Sequence, residues 1–106
     1  MTVTAITSLE QFKEIIARDK NCVVDFWATW CGPCRMISPV FEKMSELPEL
    51  SHIDFYKVDV DEQAAISQEC GIRAMPTFVA FKNGQKVNDL MGANPAGLQT
   101  LIKNLV

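Results

Sequence analysis

Two cysteines separated by a glycine and a proline are the residues of this sequence best suited to chemistry. They are Cys31 and Cys34, within the stretch WCGPC at residues 30–34. At a separation of three residues, both sulfur atoms can lie on one face of a helix and reach each other. In thiol–disulfide exchange, one thiolate attacks a disulfide and a second thiol resolves the resulting mixed disulfide. The pair therefore predicts this exchange, with Cys31 as the nucleophile and Cys34 as the resolving cysteine.

Asp25 is the next candidate, because it places a carboxylate in an apolar run shortly before the cysteine pair. Residues 22–28 read CVVDFWA, a pattern that favours a strand with apolar residues on both faces in the middle of a sheet. Burial there raises the pKa of a carboxyl by up to ~3–5 pH units, so that the group can accept a proton near neutrality. We expect Asp25 to lie beneath the cysteines and to take the Cys34 proton through a water. The alternative is that Asp25 lies on a solvated face.

The cysteine pair has other interpretations. A zinc site would need Cys22, Cys70 or His52 as further ligands, and their spacings match no common zinc pattern. Two core cysteines can also share this spacing by chance, since buried free cysteine is common. A structural staple is disfavoured, because closing so small a loop stabilises the fold by only about 2 kcal/mol. We interpret Cys22 as a core residue, His52 as solvated, and Cys70 as either inert packing or a site of regulatory oxidation.

Composition and charge restrict the class of protein. The chain has 106 residues, of which 48% are hydrophobic, and a formal net charge of -3. This apolar content suffices for one core, so we expect a single domain over residues 1–106. The acidic balance gives no electrostatic reason to bind nucleic acid, and no apolar run is long enough to cross a membrane. The first residues lack a secretory signal pattern, so we expect a reducing, intracellular compartment.

Apolar runs and turn residues predict five strands. They lie at VTAI (3–6), at residues 22–28 and 53–60, and in the runs TFVAF (77–81) and QKVNDLM (85–91). Lys82, Asn83 and Gly84 separate the last two runs, and Asn-Gly in that position is a strong hairpin signal. The earlier strands alternate with helical patterns, which indicates parallel pairing.

Apolar residues at helical spacing predict four helices. Their expected starts are the capping box of Ser8 and Gln11, Pro33, Asp61, and the pair Asn94-Pro95. The second helix should run to about Leu47, with a kink at Pro39. The resulting order β-α-β-α-β-α-β-β-α predicts an α/β fold. Its central mixed sheet would be parallel in the front half, antiparallel at the C-terminal hairpin, and flanked by four helices on both faces.

In this arrangement the cysteine pair falls where the second strand passes into the second helix. Open α/β sheets place their sites at such strand ends. Cys31 would lie at the helix N-terminus, where unpaired N–H groups and the macrodipole favour an anion, so its thiolate should form readily. Pro33 fits the first turn and stiffens the geometry between the cysteines. We therefore expect an exposed Cys31 sulfur beside a more buried Cys34.

Several of these stretches together resemble the thioredoxin family. They are VDFWA before WCGPC, FYKVDVD, GIRAMPTF, FKNG and the late Gly92, which agree in order and spacing from about residue 8 to the C-terminus. The resemblance implies a thioredoxin fold with a reversible Cys31–Cys34 disulfide and with Gly32 and Pro33 shaping the active site. It also implies that Lys57 is the partner of Asp25 and tempers its pKa. One departure is the absence of a proline near the start of the third helix, which leaves that boundary open.

A flat apolar patch around the cysteines is expected, because substrate disulfides belong to protein chains. Trp30 precedes the first cysteine and is a candidate for this patch. The resemblance implies that the Met75-Pro76 bond is cis and that Pro76 lies against the cysteines. Met75 would offer backbone hydrogen bonds to an extended substrate strand, and Gly92 with Ala93 would form the opposite lip.

Three function classes fit the pattern: a dithiol reductant, a disulfide-forming oxidase or isomerase, and a binding module with incidental cysteines. Oxidising relatives carry a histidine between the cysteines, whereas this chain carries Gly32 and Pro33, so a more reducing couple is expected. A binding module would not need Asp25 or a resolving cysteine. The prediction is therefore a reductant of protein disulfides.

The resemblance also implies partners. A thioredoxin reductase would recharge the protein with electrons from NADPH through its own flavin, so that no cofactor or metal is bound to this chain. Substrates would be disulfide proteins such as peroxiredoxin, methionine sulfoxide reductase and ribonucleotide reductase, and neither nucleic acid nor membrane is expected as a partner. We expect a cytoplasmic electron carrier that is mostly monomeric, with a Cys70-linked dimer as a second form.

Overall fold

The computed structural model describes residues 2–105 and contains a single five-stranded sheet within them. The strands are β1 (Val3–Ala5), β2 (Cys22–Trp27), β3 (Asp54–Asp59), β4 (Thr77–Lys82) and β5 (Gln85–Met91). Their spatial order is β1-β3-β2-β4-β5. Strand β3 pairs in parallel with β1 and β2, whereas β4 pairs antiparallel with β2 and β5. The predicted mixed sheet is confirmed.

Four α-helices of the described part of the chain cover the sheet. They are α1 (Leu9–Ile16), α2 (Gly32–Ser45), α3 (Ala64–Glu69) and α4 (Pro95–Lys103), and a short 3-10 helix, Pro48–Leu50, follows α2. Alternate residues of a strand point to opposite faces, and the two cores follow this alternation. Val23 packs with Phe41 of α2 and Leu98 of α4, whereas Val24 packs with Phe12 of α1 and Ile66 of α3. Helices therefore lie on both faces, as predicted.

The alternation also fixes the direction of Asp25. Asp25 is two residues from Val23 on β2, so it points to the face that α2 and α4 cover. The register of the sheet sets Asp25 opposite Lys57 on β3 and opposite Phe78 on β4. The carboxyl is therefore in the middle of the sheet, beneath the helix whose first turn carries the cysteines.

Local hydrogen bonds explain most helix starts. Ser8 Oγ accepts from Gln11 N at 3.1 Å, while Gln11 Oε1 accepts from the N–H of Thr7, one residue before the expected capping-box donor. Asn94 caps α4 through its side-chain oxygen, which accepts from Gly97 N at 3.1 Å. Asn83 and Gly84 both have positive φ, 55° and 79°, which is the backbone that a tight hairpin between β4 and β5 needs.

The predicted start of the third helix at Asp61 is wrong. The helix begins at Ala64, and its N-cap is Gln63. The carboxylate of Asp59 accepts from Asp61 N at 2.9 Å, so this segment forms a turn in place of a first helical turn. Within residues 2–105, no helix combines the length and apolar character that a membrane span requires.

Candidate active site

Cys31 and Cys34 are joined by a disulfide at the N-terminus of α2, with their Cα atoms 5.3 Å apart. Cys31 is the N-cap residue of the helix, and its sulfur accepts from Cys34 N at 3.2 Å. After reduction, the same N–H group and the helix dipole are positioned to stabilise an anion on the Cys31 sulfur. The placement of the pair at a strand end and a helix start therefore agrees with the prediction.

The expected exposure of Cys31 is wrong for the oxidised pair. Cys31 is 4% exposed and Cys34 is 1% exposed, so both are buried and differ only slightly. Cys31 Sγ lies 3.6 Å from the carbonyl oxygen of Met75. Ala28 packs with the two cysteines, and Met75 packs against this small cluster. The cover over Cys31 thus comes from a loop far away in sequence, which local spacing does not reveal.

That loop contains the cis peptide bond between Met75 and Pro76, as the resemblance implies. Pro76 is fully buried, and its carbonyl oxygen accepts from Gly92 N at 2.8 Å. Gly92 has a φ of 100°, a conformation that favours glycine. Ala93 follows it, partly buried against the core on the α2 side of the sheet. The structure therefore links the Met75-Pro76 segment directly to the segment that starts at Gly92.

Trp30 is an exposed aromatic next to the disulfide, with 65% of its surface accessible. Its indole Nε1 donates to Asp61 Oδ2 at 3.0 Å, which holds the ring in one orientation. Met36 and Met91, which lie close in sequence to Cys34 and Gly92, are also largely exposed. Exposed apolar side chains of this size are candidates for contact with a protein partner. Asp61 was not predicted to act there, because it lies 31 positions after Trp30 and leaves no local signal.

Asp25 is buried, with 3% of its surface exposed. Burial raises the pKa of its carboxyl from 3.8 to about 7; the Lys57 ammonium partly opposes this rise and the Glu42 carboxylate adds to it. Within residues 2–105, no protein group donates a hydrogen bond to Asp25 Oδ1. The predicted burial and the direction of the pKa shift are both confirmed. A carboxyl in this state can gain or lose a proton close to neutral pH.

A cavity of about 90 Å³ lies beside this carboxyl, and we refer to it as the Asp25 cavity. Its lining residues come from three strands and from α2: Val3, Asp25, Trp27, Ser38, Phe41, Glu42 and Lys57. A cavity needs only about 10–15 Å³ to admit a water, so this one is roomy enough for a water relay. Ser38 Oγ donates to the carbonyl oxygen of Cys34 at 2.7 Å, which ties the cavity wall to the resolving cysteine.

Lys57 and Trp27 form one side of the Asp25 cavity. The Nζ atom of Lys57 lies 5.8 Å from the centroid of the Trp27 ring, a cation–π contact. Ser38 and Glu42 form part of the other side, from α2. Sequence reasoning missed both, although residues 34, 38 and 42 recur at the four-residue spacing of one helix face.

The two remaining cysteines are free thiols. Cys22 is buried in the core on the α1 side of the sheet, and burial raises the pKa of its thiol to about 11. Cys70 is half-buried at the end of α3, and burial raises the pKa of its thiol to about 11 as well. Neither thiol ionises readily at neutral pH. Within residues 2–105, the structure has no cluster of three or more His, Cys, Asp or Glu side chains that could hold a metal ion.

The chain matches the family model Thioredoxin over residues 3–104. Among curated proteins, it is 61% identical to the thioredoxin of Malassezia sympodialis over 100 residues, which covers 94% of this chain and 95% of that protein. It is also 49% identical to thioredoxin-1 of Saccharomyces cerevisiae over 100 residues, with 94% and 95% of the two chains covered.

Solved structures give the same result. The crystal structure of Malassezia sympodialis thioredoxin (Mala s 13) superposes with a TM-score of 0.95 at 59% identity, covering 97% of this chain and 90% of that one. A chain from a study of thiol resolution in yeast mitochondrial 1-Cys peroxiredoxin through the glutathione and thioredoxin systems superposes with a TM-score of 0.91 at 41% identity. In that pair, 98% of this chain and 96% of the other are covered.

Proposed function

Because this chain belongs to the thioredoxin family and carries a Cys31–Cys34 disulfide, it is a thiol–disulfide oxidoreductase, and we propose that it works as a reductant of protein disulfides. The observation that carries the proposal is the placement of the cysteine pair at the N-terminus of α2, the helix that also lines the cavity beside the buried Asp25 carboxyl. The helix terminus favours an anion at Cys31, and the carboxyl supplies a proton acceptor for the second step.

The reaction has two steps. In the first, the Cys31 thiolate attacks one sulfur of the substrate disulfide, forming a mixed disulfide and releasing a substrate thiolate that takes a proton from solvent. In the second, Asp25 accepts the Cys34 proton through water in the Asp25 cavity, and the Cys34 thiolate attacks Cys31. The Cys31–Cys34 bond forms, the bond from Cys31 to the substrate breaks, and the second substrate sulfur leaves as a thiolate. Two electrons pass to the substrate.

The substrate would lie across the surface formed by Trp30, Met75, Gly92 and Ala93. Trp30 offers an exposed aromatic face held by Asp61. The backbone of Met75, beside Cys31, can pair with an extended substrate strand, which brings the substrate disulfide to the nucleophile. This surface is mostly apolar and backbone-based, so it suits many protein partners.

The reduction potential of the Cys31–Cys34 couple distinguishes a reductant from an oxidase or isomerase. Gly32 and Pro33 between the cysteines carry no positive charge that would stabilise the thiolate further, so we expect a value near or below about -250 mV. Thioredoxins themselves mark the reducing end of that scale. The measurement is equilibration against redox buffers with trapping of free thiols. A value near about -180 mV or higher would assign the protein to the oxidase and isomerase class.

The role of Asp25 is tested with the variant Asp25→Asn. Loss of a positioned proton acceptor should slow resolution of the mixed disulfide by about 100-fold near pH 7, within the range that general bases supply. The wild-type rate should rise with pH through the raised pKa of Asp25, and the variant should lose this step. Single-turnover release of a thiol from a Cys31-linked model substrate gives the rate. Equal rates in the two proteins between pH 6 and 8 would exclude Asp25 as the base.

We further propose the cellular setting. The recharging partner is a thioredoxin reductase that uses flavin and NADPH, and the protein carries electrons in the cytoplasm as a single domain over residues 1–106. Its substrates are disulfide proteins such as peroxiredoxin, methionine sulfoxide reductase and ribonucleotide reductase. The likeness to a chain from a peroxiredoxin resolving system supports the first of these. The protein works mostly as a monomer, and the half-buried thiol of Cys70 provides for a linked dimer.

A further inference from the structure

The proton that Asp25 accepts in the resolving step has to leave the carboxyl before Asp25 can act as a base again, and its exchange with bulk water requires a route out of the core. Asp25 is only 3% exposed, so water in bulk does not reach the carboxyl directly. It lies on a central strand with β3 on one side and β4 on the other, and the sheet therefore blocks lateral exit. The Asp25 cavity is the space that adjoins the carboxyl on its open side.

The walls of the Asp25 cavity change from buried to exposed along its length. Asp25 and Phe41 are buried, whereas Ser38, Glu42 and Lys57 are partly exposed to solvent. The cavity therefore connects the inner carboxyl with side chains that contact bulk water. With a volume of about 90 Å³, it has room for water between those groups.

Of the described residues that line this cavity, Glu42 is the one other carboxylate besides Asp25. Lys57 is a cation that only donates hydrogen bonds, so it does not accept a proton from Asp25. The hydroxyl proton of Ser38 is engaged with the carbonyl oxygen of Cys34, and its oxygen remains free to hold a water. Val3, Trp27 and Phe41 offer no proton acceptor. A proton moving outward therefore meets an acceptor at Glu42.

We propose that Glu42 is the outlet through which the proton held by Asp25 returns to solvent, a proposal that rests on Asp25 being the proton acceptor of the resolving step. The proton leaves the Asp25 carboxyl through cavity water to the Glu42 carboxylate, and Glu42 releases it to bulk water. Asp25 is again a carboxylate, Glu42 is unchanged, and no redox partner takes part. Ser38 positions the cavity water while holding the first turn of α2.

The charge of Glu42 also affects the pKa of Asp25. The charged groups that act on the Asp25 carboxyl are Lys57 from β3, which lowers its pKa, and Glu42 from α2, which raises it. Removal of the Glu42 charge should therefore lower the pKa of Asp25. Each variant therefore has to be measured at its own titration midpoint.

The test is the rate at which the Asp25 carboxyl exchanges its proton with solvent in the oxidised protein. Relaxation dispersion of the carboxyl carbon, at the titration midpoint and low buffer concentration, reports this rate. We expect Glu42→Gln to slow the exchange by about tenfold, less than the full effect of a positioned proton acceptor because cavity water remains. Glu42→Asp keeps the carboxylate and should restore most of the rate, which a merely structural role of Glu42 would not do.

A matched control is Glu46→Gln, which removes an exposed carboxylate one helical turn further along and outside the cavity lining. Its exchange rate should equal that of the wild type. An unchanged proton-exchange rate in Glu42→Gln would contradict the proposed role of Glu42. An Asp25 carboxyl that does not titrate between pH 5 and 9 would contradict it too.

The resolving rate of Asp25→Asn separates this proposal from the proposed function. Slow resolution in Asp25→Asn together with wild-type proton exchange in Glu42→Gln would exclude the role of Glu42 and leave Asp25 as the base. Normal resolution in Asp25→Asn would exclude Asp25 as the proton acceptor, and the role of Glu42 would then be excluded as well.

Discussion

Replacement of Cys34 by serine should stop turnover and leave the protein covalently joined to its substrate through Cys31. A serine hydroxyl does not attack the mixed disulfide, so the first step proceeds and the second does not. We expect reduction of a disulfide protein to fall by at least about 1,000-fold, as when a catalytic nucleophile is removed. Nonreducing electrophoresis and mass spectrometry of tryptic peptides would show the adduct and identify its sulfur.

The complementary variant, Cys31→Ser, should lose the same activity without forming an adduct. Cys34 is then the remaining cysteine of the pair, and at 1% exposure in the oxidised protein it is the less accessible of the two. Cys70→Ser serves as the matched control, since it removes a free thiol whose raised pKa disfavours attack. In the Cys34→Ser background, Cys70→Ser should leave the adduct intact. An adduct carried by Cys34 or Cys70 would reverse the assigned order of attack.

The strand and helix patterns were sufficient to predict the sheet and its two covered faces. Alternation along CVVDFWA divides residues such as Val23 and Val24 between two cores, and the structure has them there. The same alternation brought Asp25 to the face beneath α2. The Asn83-Gly84 turn was predictable because few residue pairs tolerate two successive positive φ values.

The parts that sequence reasoning missed depend on contacts between distant segments. Met75, 44 residues after Cys31, covers the sulfur and makes the nucleophile less exposed than its position at a helix N-terminus suggests. Asp61 was expected to cap a helix, but its side chain holds Trp30. Glu42 is different, because its spacing from Cys34 along α2 was visible in the sequence. The sequence did not reveal the cavity that brings Glu42 and Asp25 to a common space.

Asp25→Asn should raise the free energy of unfolding of the oxidised protein at pH 8 by about 4 kcal/mol. The pKa of the carboxyl is about 7 in the folded state, against an ordinary value of 3.8. Each pH unit of difference corresponds to about 1.4 kcal/mol, which gives the figure for a buried group. Since the folded state binds the proton more tightly, the contribution of Asp25 to stability is greatest below about pH 4, decreases above that pH and is lost as the pH rises through about 7.

The measurement is urea unfolding of the oxidised wild type and of Asp25→Asn from pH 4 to pH 8.5. Asparagine resembles the neutral carboxyl in size, so the two proteins should have similar stability at the acid end. They should diverge from about pH 4, where Asp25 ionises in the unfolded chain, up to about pH 7, where it ionises in the folded wild type, and the variant should lack this fall. Glu46→Gln, at the exposed C-cap position that follows α2, should follow the wild type at every pH. Parallel curves for wild type and Asp25→Asn would show that the carboxyl is not buried as a neutral acid.

Burial of Asp25 lowers the stability of the fold and also allows the carboxyl to accept a proton near neutral pH. Because the first effect is a cost, the presence of the residue supports a role in catalysis. A carboxylate with an unpartnered oxygen at 3% exposure weakens the fold at the pH where the protein works. The same burial brings its pKa to the range in which it can take a proton from Cys34 and release it again. If Asp25→Asn is more stable and slower at resolving mixed disulfides, both effects have one physical cause. If Asp25→Asn gained stability and resolved mixed disulfides at the wild-type rate, the buried carboxyl would have no role in that step.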